Sequence, residues 1–235
     1  MWSGPRNIST ALMRSWGSRA DTVVVDEPFY AHYLHVTGLD HPGREAILAS
    51  QPQSWRVVAE ALTGPVPGGK SIYYQKHMAH HLLPGMDGPW LDELRHAFLL
   101  RDPEEMLTSL LKVIPDPRPE DTGLPQQVAL FERLREAGET PPVIDSKGVL
   151  DDPPGLLRAL CAALGVAFDP AMLAWESGPR PTDGVWAVHW YAAVEASSGF
   201  QPYQPKPDRV PERLRSVLAE CQAHYDRLYP HRLTA

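Results

Sequence analysis

The alternation of short strands with helical segments is the feature that most limits how this chain can fold. Runs of β-branched or aromatic residues, bounded by turn residues, predict strands at residues 22–25, 71–75, 97–100 and 142–144. Apolar periodicity predicts helices at residues 9–16, 53–62, 103–112, 124–137, 153–164, 185–196 and 211–229. Strands that alternate with helices form a parallel sheet covered on both faces. The sequence therefore predicts a three-layer α/β fold with a central, mainly parallel sheet flanked by helices.

Length and composition fit a single folded unit. The 235 residues are 43% hydrophobic and 22% charged, which excludes a chain that is disordered throughout. We expect one domain over residues 1–235. Only Met1 and Trp2 precede the first loop, so the first strand is either a stub or the end of a strand that begins upstream.

The charge and the apolar runs exclude several classes of partner. A formal net charge of −7 argues against a general nucleic-acid binder, which is normally basic. No run approaches the ~18 apolar residues of a membrane span. The N-terminus lacks a secretory apolar segment, so a cytoplasmic protein is expected. Cys161 and Cys221 lie in apolar helical patterns and are expected to be buried free thiols.

Residues 64–71 match the phosphate-loop pattern G-x-x-x-x-G-K-[ST] letter for letter. The pattern binds phosphate only between a strand and a helix, and here a helical segment precedes it and a strand follows. Pro65 and Pro67 also remove two backbone N–H donors. We interpret this segment as a helix-to-strand turn.

A weaker match has the better context. Residues 3–12 run into the amphipathic helix predicted at residues 9–16, so the backbone N–H groups at the helix start can face an anion. Arg6 adds a positive charge, and Ser9 and Thr10 add hydroxyl groups. The candidate anion-binding residues are Gly4, Pro5, Arg6, Asn7, Ile8, Ser9 and Thr10. An ordinary helix start with a surface arginine is the alternative.

A second candidate anion site follows a buried strand at residues 97–100. Arg101 stands at the carboxyl end of that strand, where ligands of parallel sheets bind, and Ser109 lies eight residues further on in the next helix. Two separate anion-binding groups suggest a ligand with two separated phosphates. The alternative is that Arg101 forms an ion pair with Asp102 or Glu105.

Together these two motifs resemble those of the P-loop sulfotransferases, which use 3′-phosphoadenosine 5′-phosphosulfate as sulfuryl donor. Residues 4–12 are similar to the 5′-phosphosulfate loop of that family, and Arg101 with Ser109 to its 3′-phosphate motif. The long C-terminal half resembles a bacterial and plant branch often labelled aminotransferase-like. In two respects the chain departs from the family: Arg6 stands where many members have lysine, and the basic-glycine signature near the C-terminus is absent, with only Lys206 and Arg209 nearby.

The resemblance implies roles for individual residues. The donor would be 3′-phosphoadenosine 5′-phosphosulfate, the acceptor a hydroxyl or amine of a small molecule, and no metal would be required. Arg6 and Lys76 would stabilise the charge that develops on the leaving group. Glu27, in a Glu-Pro element after the second strand, and His77, at a basic strand end, are the two candidate bases.

Other interpretations of these residues stay open. Glu27 is equally well explained as a structural carboxylate. His77, His80 and His81 do not have the spacing of a zinc site and are better explained as a packed or solvated cluster. His32 and His35 are expected beside the pocket. Four aromatic residues of one stretch are expected in the core, with a pocket wall as the alternative: Trp175, Trp186, Trp190 and Tyr191.

Two other functions compete with sulfuryl transfer. A kinase-like phosphotransferase would need a strand-end aspartate for magnesium, which Asp26 would supply, but its phosphate-loop lysine is missing. A non-catalytic nucleotide-binding protein would keep the loops without turnover. The proline-rich segments 114–123 and 199–210 are expected to be irregular connectors, or lids over the site.

Overall fold

The computed structural model, which describes residues 1–234, has a central sheet of five parallel strands in the order β2-β3-β1-β4-β5. The strands are β1 (Trp2–Ser3), β2 (Thr22–Asp26), β3 (Ile72–Met78), β4 (Phe98–Leu100) and β5 (Val143–Asp145). The predicted fold class is confirmed: the sheet is parallel and helices flank it. Each predicted strand is present within a few residues of its predicted bounds.

The first strand has only two residues here. It occupies the centre of the sheet, where Trp2 pairs with His77 of β3 on one side and with Phe98 of β4 on the other. The loop that follows Ser3 therefore leaves the middle of the sheet at its carboxyl edge.

Among residues 1–234 there are eleven α-helices. They are α1 (Ser9–Gly17), α2 (Tyr30–Thr37), α3 (Arg44–Ser50), α4 (Trp55–Thr63), α5 (Pro103–Leu110), α6 (Leu124–Glu136), α7 (Ser146–Asp151), α8 (Pro153–Ala163), α9 (Ala187–Trp190), α10 (Ala192–Glu195) and α11 (Arg215–Leu228).

The sequence did not predict α2, α3 and α7. These helices have only six to eight residues, and the first turns of α2 and α3 carry no side-chain cap. The helix predicted over residues 185–196 is instead broken at Tyr191 into α9 and α10. Short helices give too few turns for periodicity to define them, and packing decides where they form.

Alternate residues of the strands divide the apolar core between the two faces of the sheet. Phe98 and Leu100 pack on one face with helices α4, α5, α6 and α11, while Leu99 packs on the other with helices α1, α2 and α8. This alternation follows from the two-residue period of a strand. It places consecutive strand residues, including Lys76 and His77, on opposite faces.

Two smaller predictions are confirmed. The segment at residues 64–71 follows α4, contains a short 3₁₀ turn at Pro67–Gly69 and leads into β3, so it is a helix-to-strand turn. Cys161 and Cys221 are buried free thiols. Within the described residues, helices long and apolar enough to cross a membrane are absent.

Gly4 is required by packing. A Cβ atom on Gly4 would lie 2.3 Å from the backbone oxygen of Thr122. Since that oxygen belongs to the main chain, relief requires a backbone shift. We expect Gly4→Ala to lower the free energy of unfolding by about 1–3 kcal/mol, measured by urea denaturation.

Gly148 in α7 is the matched control, because a Cβ there meets nothing within 4 Å. Gly148→Ala should leave stability unchanged or slightly raised, since alanine favours helix. Equal stability of the two variants would contradict the proposed close approach at Gly4.

Candidate active site

The carboxyl ends of β1 to β4 open into a cavity of about 980 Å³. This is the edge where parallel sheets bind ligands, and the volume is large enough for a nucleotide and a second small molecule. Ten residues from the sequence prediction line the cavity: Pro5, Arg6, Asn7, Ile8, Ser9, Thr10, Glu27, Lys76, Arg101 and Ser109. The structure thus brings residues of the two predicted anion motifs together with three candidate catalytic residues, Arg6, Glu27 and Lys76.

The loop between β1 and α1 has the geometry of an anion cradle. Helix α1 begins after Ile8 with no side-chain cap, and the first-turn amides of Ser9 and Thr10 donate no hydrogen bond within residues 1–234. Arg6 has a left-handed backbone, with φ at 56°. A single left-handed residue among right-handed ones turns successive N–H groups toward one point, as in anion-binding nests.

Arg6 and the second motif are in direct contact. Arg6 Nε donates a hydrogen bond to Ser109 Oγ at 3.0 Å. Arg101 donates to the carbonyl oxygen of Arg6 and forms a 3.1 Å salt bridge with Glu105. The ion pair weighed as an alternative is therefore present, although Arg101 also lines the cavity.

These cations crowd one another. Burial, followed by the charge of Arg101, lowers the pKa of Arg6. Burial and the same arginine also lower the pKa of Lys206, another residue of the cavity lining. We call Arg6, Arg101 and Lys206 the cationic mouth. Their mutual repulsion would be relieved by a bound polyanion.

A buried lysine connects the strands at the centre of the cavity. Parallel pairing of β2 and β3 sets Asp26 opposite Lys76. Lys76 Nζ donates to Asp26 Oδ1 at 2.8 Å, to Glu27 Oε1 at 2.6 Å and to the hydroxyl of Tyr191 at 2.8 Å. An ammonium group has three N–H donors, so Lys76 has none left for another ligand in this arrangement.

The backbone of Glu27 is strained and firmly held. Its φ of 38° is left-handed, and it shares this property only with Arg6 among the non-glycine residues described. The Glu27 amide donates to the carbonyl of Lys76, and its own carbonyl accepts from Gln51 Nε2. This turn directs the carboxylate back toward Lys76 and into the cavity.

Burial sets the protonation of this group. Burial raises the pKa of Glu27 above the usual glutamate range, although the charge of Lys76 opposes the shift. Burial alone would lower the pKa of Lys76, but the charges of Asp26 and Glu27 outweigh it and the pKa lies well above the usual lysine value. Lys76 is therefore a permanent cation. Glu27, with its raised pKa, is a stronger base than an ordinary glutamate.

Two predicted site residues do not line the cavity. His77 is 2% exposed and packs in the core on the opposite face of the sheet, with its ring stacked on Trp2 and Phe29. The period of the strand explains this position, because Lys76 next to it faces the cavity. Gly4 lies beneath its loop, against the carbonyl of Thr122.

One half of the cavity has an aromatic wall that the sequence did not predict as a unit. Its rings are Tyr30 and Tyr33 of α2, His80 and His81 after β3, and Trp190 of α9. We call it the aromatic half. His81 stacks on Tyr30 with centroids 4.7 Å apart, and burial lowers the pKa of His80 to about 3 and that of His81 well below the usual value. These imidazoles are neutral near pH 7.

The remaining candidates have varied positions. His32 is buried, with Nδ1 within 2.8 Å of the carbonyl of Gln53, and neither it nor His35 lines the cavity. Trp186 is in the core as expected, whereas Trp190 and Tyr191 reach the cavity.

Within residues 1–234 no group of three or more His, Cys, Asp or Glu side chains is arranged to hold a metal ion.

The irregular segment at residues 199–210 covers part of the cavity. It has no helix or strand, and Tyr203 and Lys206 are among its lining residues. The hydroxyl of Tyr203 donates to Glu105, the partner of Arg101. The proline-rich sequence of this segment predicted an irregular connector or a lid, and Lys206 and Arg209 were its only basic residues.

Comparison with known proteins shows a consistent set of relatives. A family model described as a sulfotransferase domain matches residues 1–227. Two curated proteins of Arabidopsis thaliana, the branched-chain-amino-acid aminotransferase-like proteins 2 and 1, are 36% and 37% identical over 231 residues. The match covers 98% of this chain but 41% of each relative, so the chain spans well under half of their length. Their label agrees with the resemblance stated above.

Two solved structures are also similar. The sulfotransferase domain from the curacin biosynthetic pathway is 16% identical, with a TM-score of 0.49, and the match covers 100% of this chain and 97% of that one. The sulfotransferase domain from the Synechococcus PCC 7002 olefin synthase is 17% identical, also with a TM-score of 0.49, over 94% and 92% of the two chains.

The buried lysine gives a stability prediction. Replacing Lys76 by methionine would leave Asp26 and Glu27 as neighbouring buried carboxylates without a counter-charge. We expect Lys76→Met to lower the free energy of unfolding at pH 7 by about 3–5 kcal/mol, measured by urea denaturation. Lys147, which is exposed and pairs with Asp151, is the control, and Lys147→Met should leave the curve unchanged. Similar curves for both variants would contradict a central role for Lys76.

Proposed function

The chain belongs to the sulfotransferase domain family, and we propose that it transfers a sulfuryl group from 3′-phosphoadenosine 5′-phosphosulfate to a hydroxyl or amine of a small molecule. One observation carries this proposal: the uncapped loop before α1, the cationic mouth and the buried Glu27 all line the same cavity. We also propose that the whole chain acts as one domain, because segments from both of its halves line that cavity.

The cationic mouth and the loop suit the donor. The donor carries a phosphosulfate at one end and a phosphate at the ribose, and both are anions. In this proposal the amides at the start of α1, which donate no other hydrogen bond, bind the phosphosulfate, and Arg101 with Ser109 binds the 3′-phosphate. Arg6 reaches from the loop to Ser109, so it lies between these two positions. Lys206 in the irregular segment adds charge where the family's C-terminal signature is absent.

The aromatic half suits the acceptor. Its tyrosine, tryptophan and neutral histidine rings offer flat apolar surface and no fixed positive charge. A flat, uncharged molecule would be held there, while an anionic one would be drawn to the cationic mouth and compete with the donor.

Sulfuryl transfer displaces the nucleotide in line at sulfur. The acceptor oxygen or nitrogen forms a bond to sulfur, the bond from sulfur to the bridging oxygen breaks, and the nucleotide leaves as its bisphosphate. Glu27 accepts the proton that the acceptor loses. Arg6 and the loop amides stabilise the charge on the leaving oxygen. Lys76, whose donors are all engaged, holds Glu27 in place.

The position of Asp26 favours this reaction over magnesium-dependent phosphoryl transfer. Both oxygens of Asp26 accept hydrogen bonds, from Lys76, Tyr191 and the amide of Gly184. Its side chain is 2% exposed and does not line the cavity. The strand-end aspartate is therefore occupied within the protein. Binding of 3′-phosphoadenosine 5′-phosphate without magnesium, and no tighter binding of ATP with magnesium, would support the proposal.

Arg101 gives a nucleotide prediction that needs no acceptor. The protein should bind 3′-phosphoadenosine 5′-phosphate more tightly than 5′-AMP, by roughly 10- to 150-fold for one charge-assisted hydrogen bond of ~1.5–3 kcal/mol. Arg101→Ala should weaken the binding of the bisphosphate by most of that factor. Calorimetry of both ligands on both proteins gives the double difference that isolates the 3′-phosphate contact.

Two controls separate this contact from damage to the loop. Arg101 also donates to the carbonyl of Arg6, so its removal could distort the loop before α1. A distorted loop would weaken the binding of AMP as well. Arg227→Ala removes a surface arginine that pairs with Glu132 outside the cavity, and it should change neither affinity. A wild-type protein that binds both nucleotides equally would contradict the proposed donor.

Glu27 gives the catalytic prediction. Glu27→Gln keeps the shape of the side chain and should lower kcat by roughly 10²–10⁴-fold, the usual contribution of a general base. Because burial raises the Glu27 pKa, the acidic limb of the wild-type rate profile should lie above the usual glutamate range. Slow hydrolysis of the donor is the assay until an acceptor is found.

His77 separates the two candidate bases. His77→Gln should lower stability, because the ring packs on Trp2, but should leave the turnover of the folded protein intact. If His77→Gln is inactive while Glu27→Gln retains full turnover, the assignment of the base is wrong.

A further inference from the structure

Tyr191 closes the hydrogen-bond network around the buried lysine. It lies at the break between α9 and α10, and it is 4% exposed. Its hydroxyl donates to Asp26 Oδ2 at 2.6 Å, and accepts from Lys76 Nζ at 2.8 Å and from Trp186 Nε1 at 3.2 Å. The single donor and both acceptor positions of the hydroxyl are therefore used.

The segment that carries Tyr191 is anchored to the same place. Asp183 accepts a 2.7 Å hydrogen bond from the buried Arg14 of α1, and the amide of Gly184 donates to Asp26 Oδ2 at 3.1 Å. Tyr191 thus approaches the lysine from a fixed support, far along the chain from β2 and β3.

We propose that Tyr191 is a positioning residue: its hydroxyl holds the Lys76 ammonium between Asp26 and Glu27, so that the Glu27 carboxylate stays bonded and directed into the cavity. Without the hydroxyl, Asp26 Oδ2 loses its shortest hydrogen bond. The ammonium then moves toward Asp26 to replace it, and its contact with Glu27 weakens. The geometry stands without the proposed function, but the consequence for catalysis rests on it.

The tyrosines and histidines near this network are uncharged near pH 7, and the buried Arg14–Asp183 ion pair lies at its edge. Burial raises the pKa values of Tyr30 of α2 and Tyr74 of β3, and it lowers those of His77 and His81 well below the usual histidine value. Lys76, which lowers the pKa of Glu27, and Asp26, which raises it, are the neighbours whose charges act on this carboxyl group. A weaker contact with Lys76 must therefore raise the pKa of Glu27 further.

A matched pair of variants tests the positioning role. Tyr191→Phe removes the bonded hydroxyl, and Tyr74→Phe removes a buried hydroxyl for which the described residues provide no hydrogen-bond partner. The unfolding free energy of the full chain is measured by urea denaturation from pH 5 to 8. Subtracting the same measurement with Glu27→Gln in each background isolates the Glu27 carboxyl, since the histidine contributions cancel.

The sign of the effect follows from linkage. A native carboxyl with a raised pKa binds its proton more tightly than the unfolded one, so the Glu27 contribution to stability falls as the pH rises and levels off above the native pKa. In Tyr191→Phe the pH at which the Glu27 contribution to stability levels off should rise by about half to one unit. A shift of this size corresponds to the free energy of one neutral hydrogen bond. Tyr74→Phe should leave that pH unchanged.

Turnover is the second readout. In donor hydrolysis, Tyr191→Phe should lower kcat/KM roughly 3- to 10-fold below the Glu27 pKa, and the loss should vanish at high pH. A Tyr191→Phe titration that matches that of Tyr74→Phe would overturn the proposal. A shifted titration in a protein without sulfuryl transfer would uphold the positioning role and overturn the proposed function instead.

Discussion

The ion cluster of Lys76 with Asp26 and Glu27 is the interaction on which the rest of the site depends. A lysine that is 1% exposed needs a counter-charge, and the register of β2 with β3 supplies it at the adjacent position. The cluster contains two carboxyl groups and one ammonium group. Removing Lys76 leaves two neighbouring carboxyl groups without a counter-charge, which burial makes costly. The cluster therefore ties β2 to β3 at the carboxyl edge of the sheet.

The cavity is divided by charge, and the division follows from the elements that form each part. The loop before α1 and the start of α5 contribute helix amides and arginines, while α2 and the turn after β3 contribute stacked rings. Glu27 lies where the two parts meet, at the turn from β2 into α2. Such a division allows an anionic and an uncharged molecule to bind side by side without exchanging places.

The sequence predicted most of the sheet and the edge at which the two candidate anion motifs lie, because both depend on local patterns. Strand alternation, helix starts and the position of Arg101 after a strand can be read within a few residues. The network around Tyr191 was not predicted, because its members meet only through tertiary packing across more than a hundred residues. His77 shows a different limit. The strand was predicted, but either Lys76 or His77 could have faced the cavity. The choice depends on how the helices cover the two faces of the sheet, which the local sequence does not specify.

The two left-handed non-glycine residues, Arg6 and Glu27, have a consequence for attempts to make this protein more heat-resistant. Each left-handed backbone costs on the order of 1–3 kcal/mol, and glycine would adopt the same conformation freely. A screen that selects only for melting temperature would therefore reward glycine at these positions and discard the guanidinium and the carboxylate together. Under the proposed function, thermostability and turnover are opposed at these two residues, and a library should keep both fixed while it varies the rest of the surface.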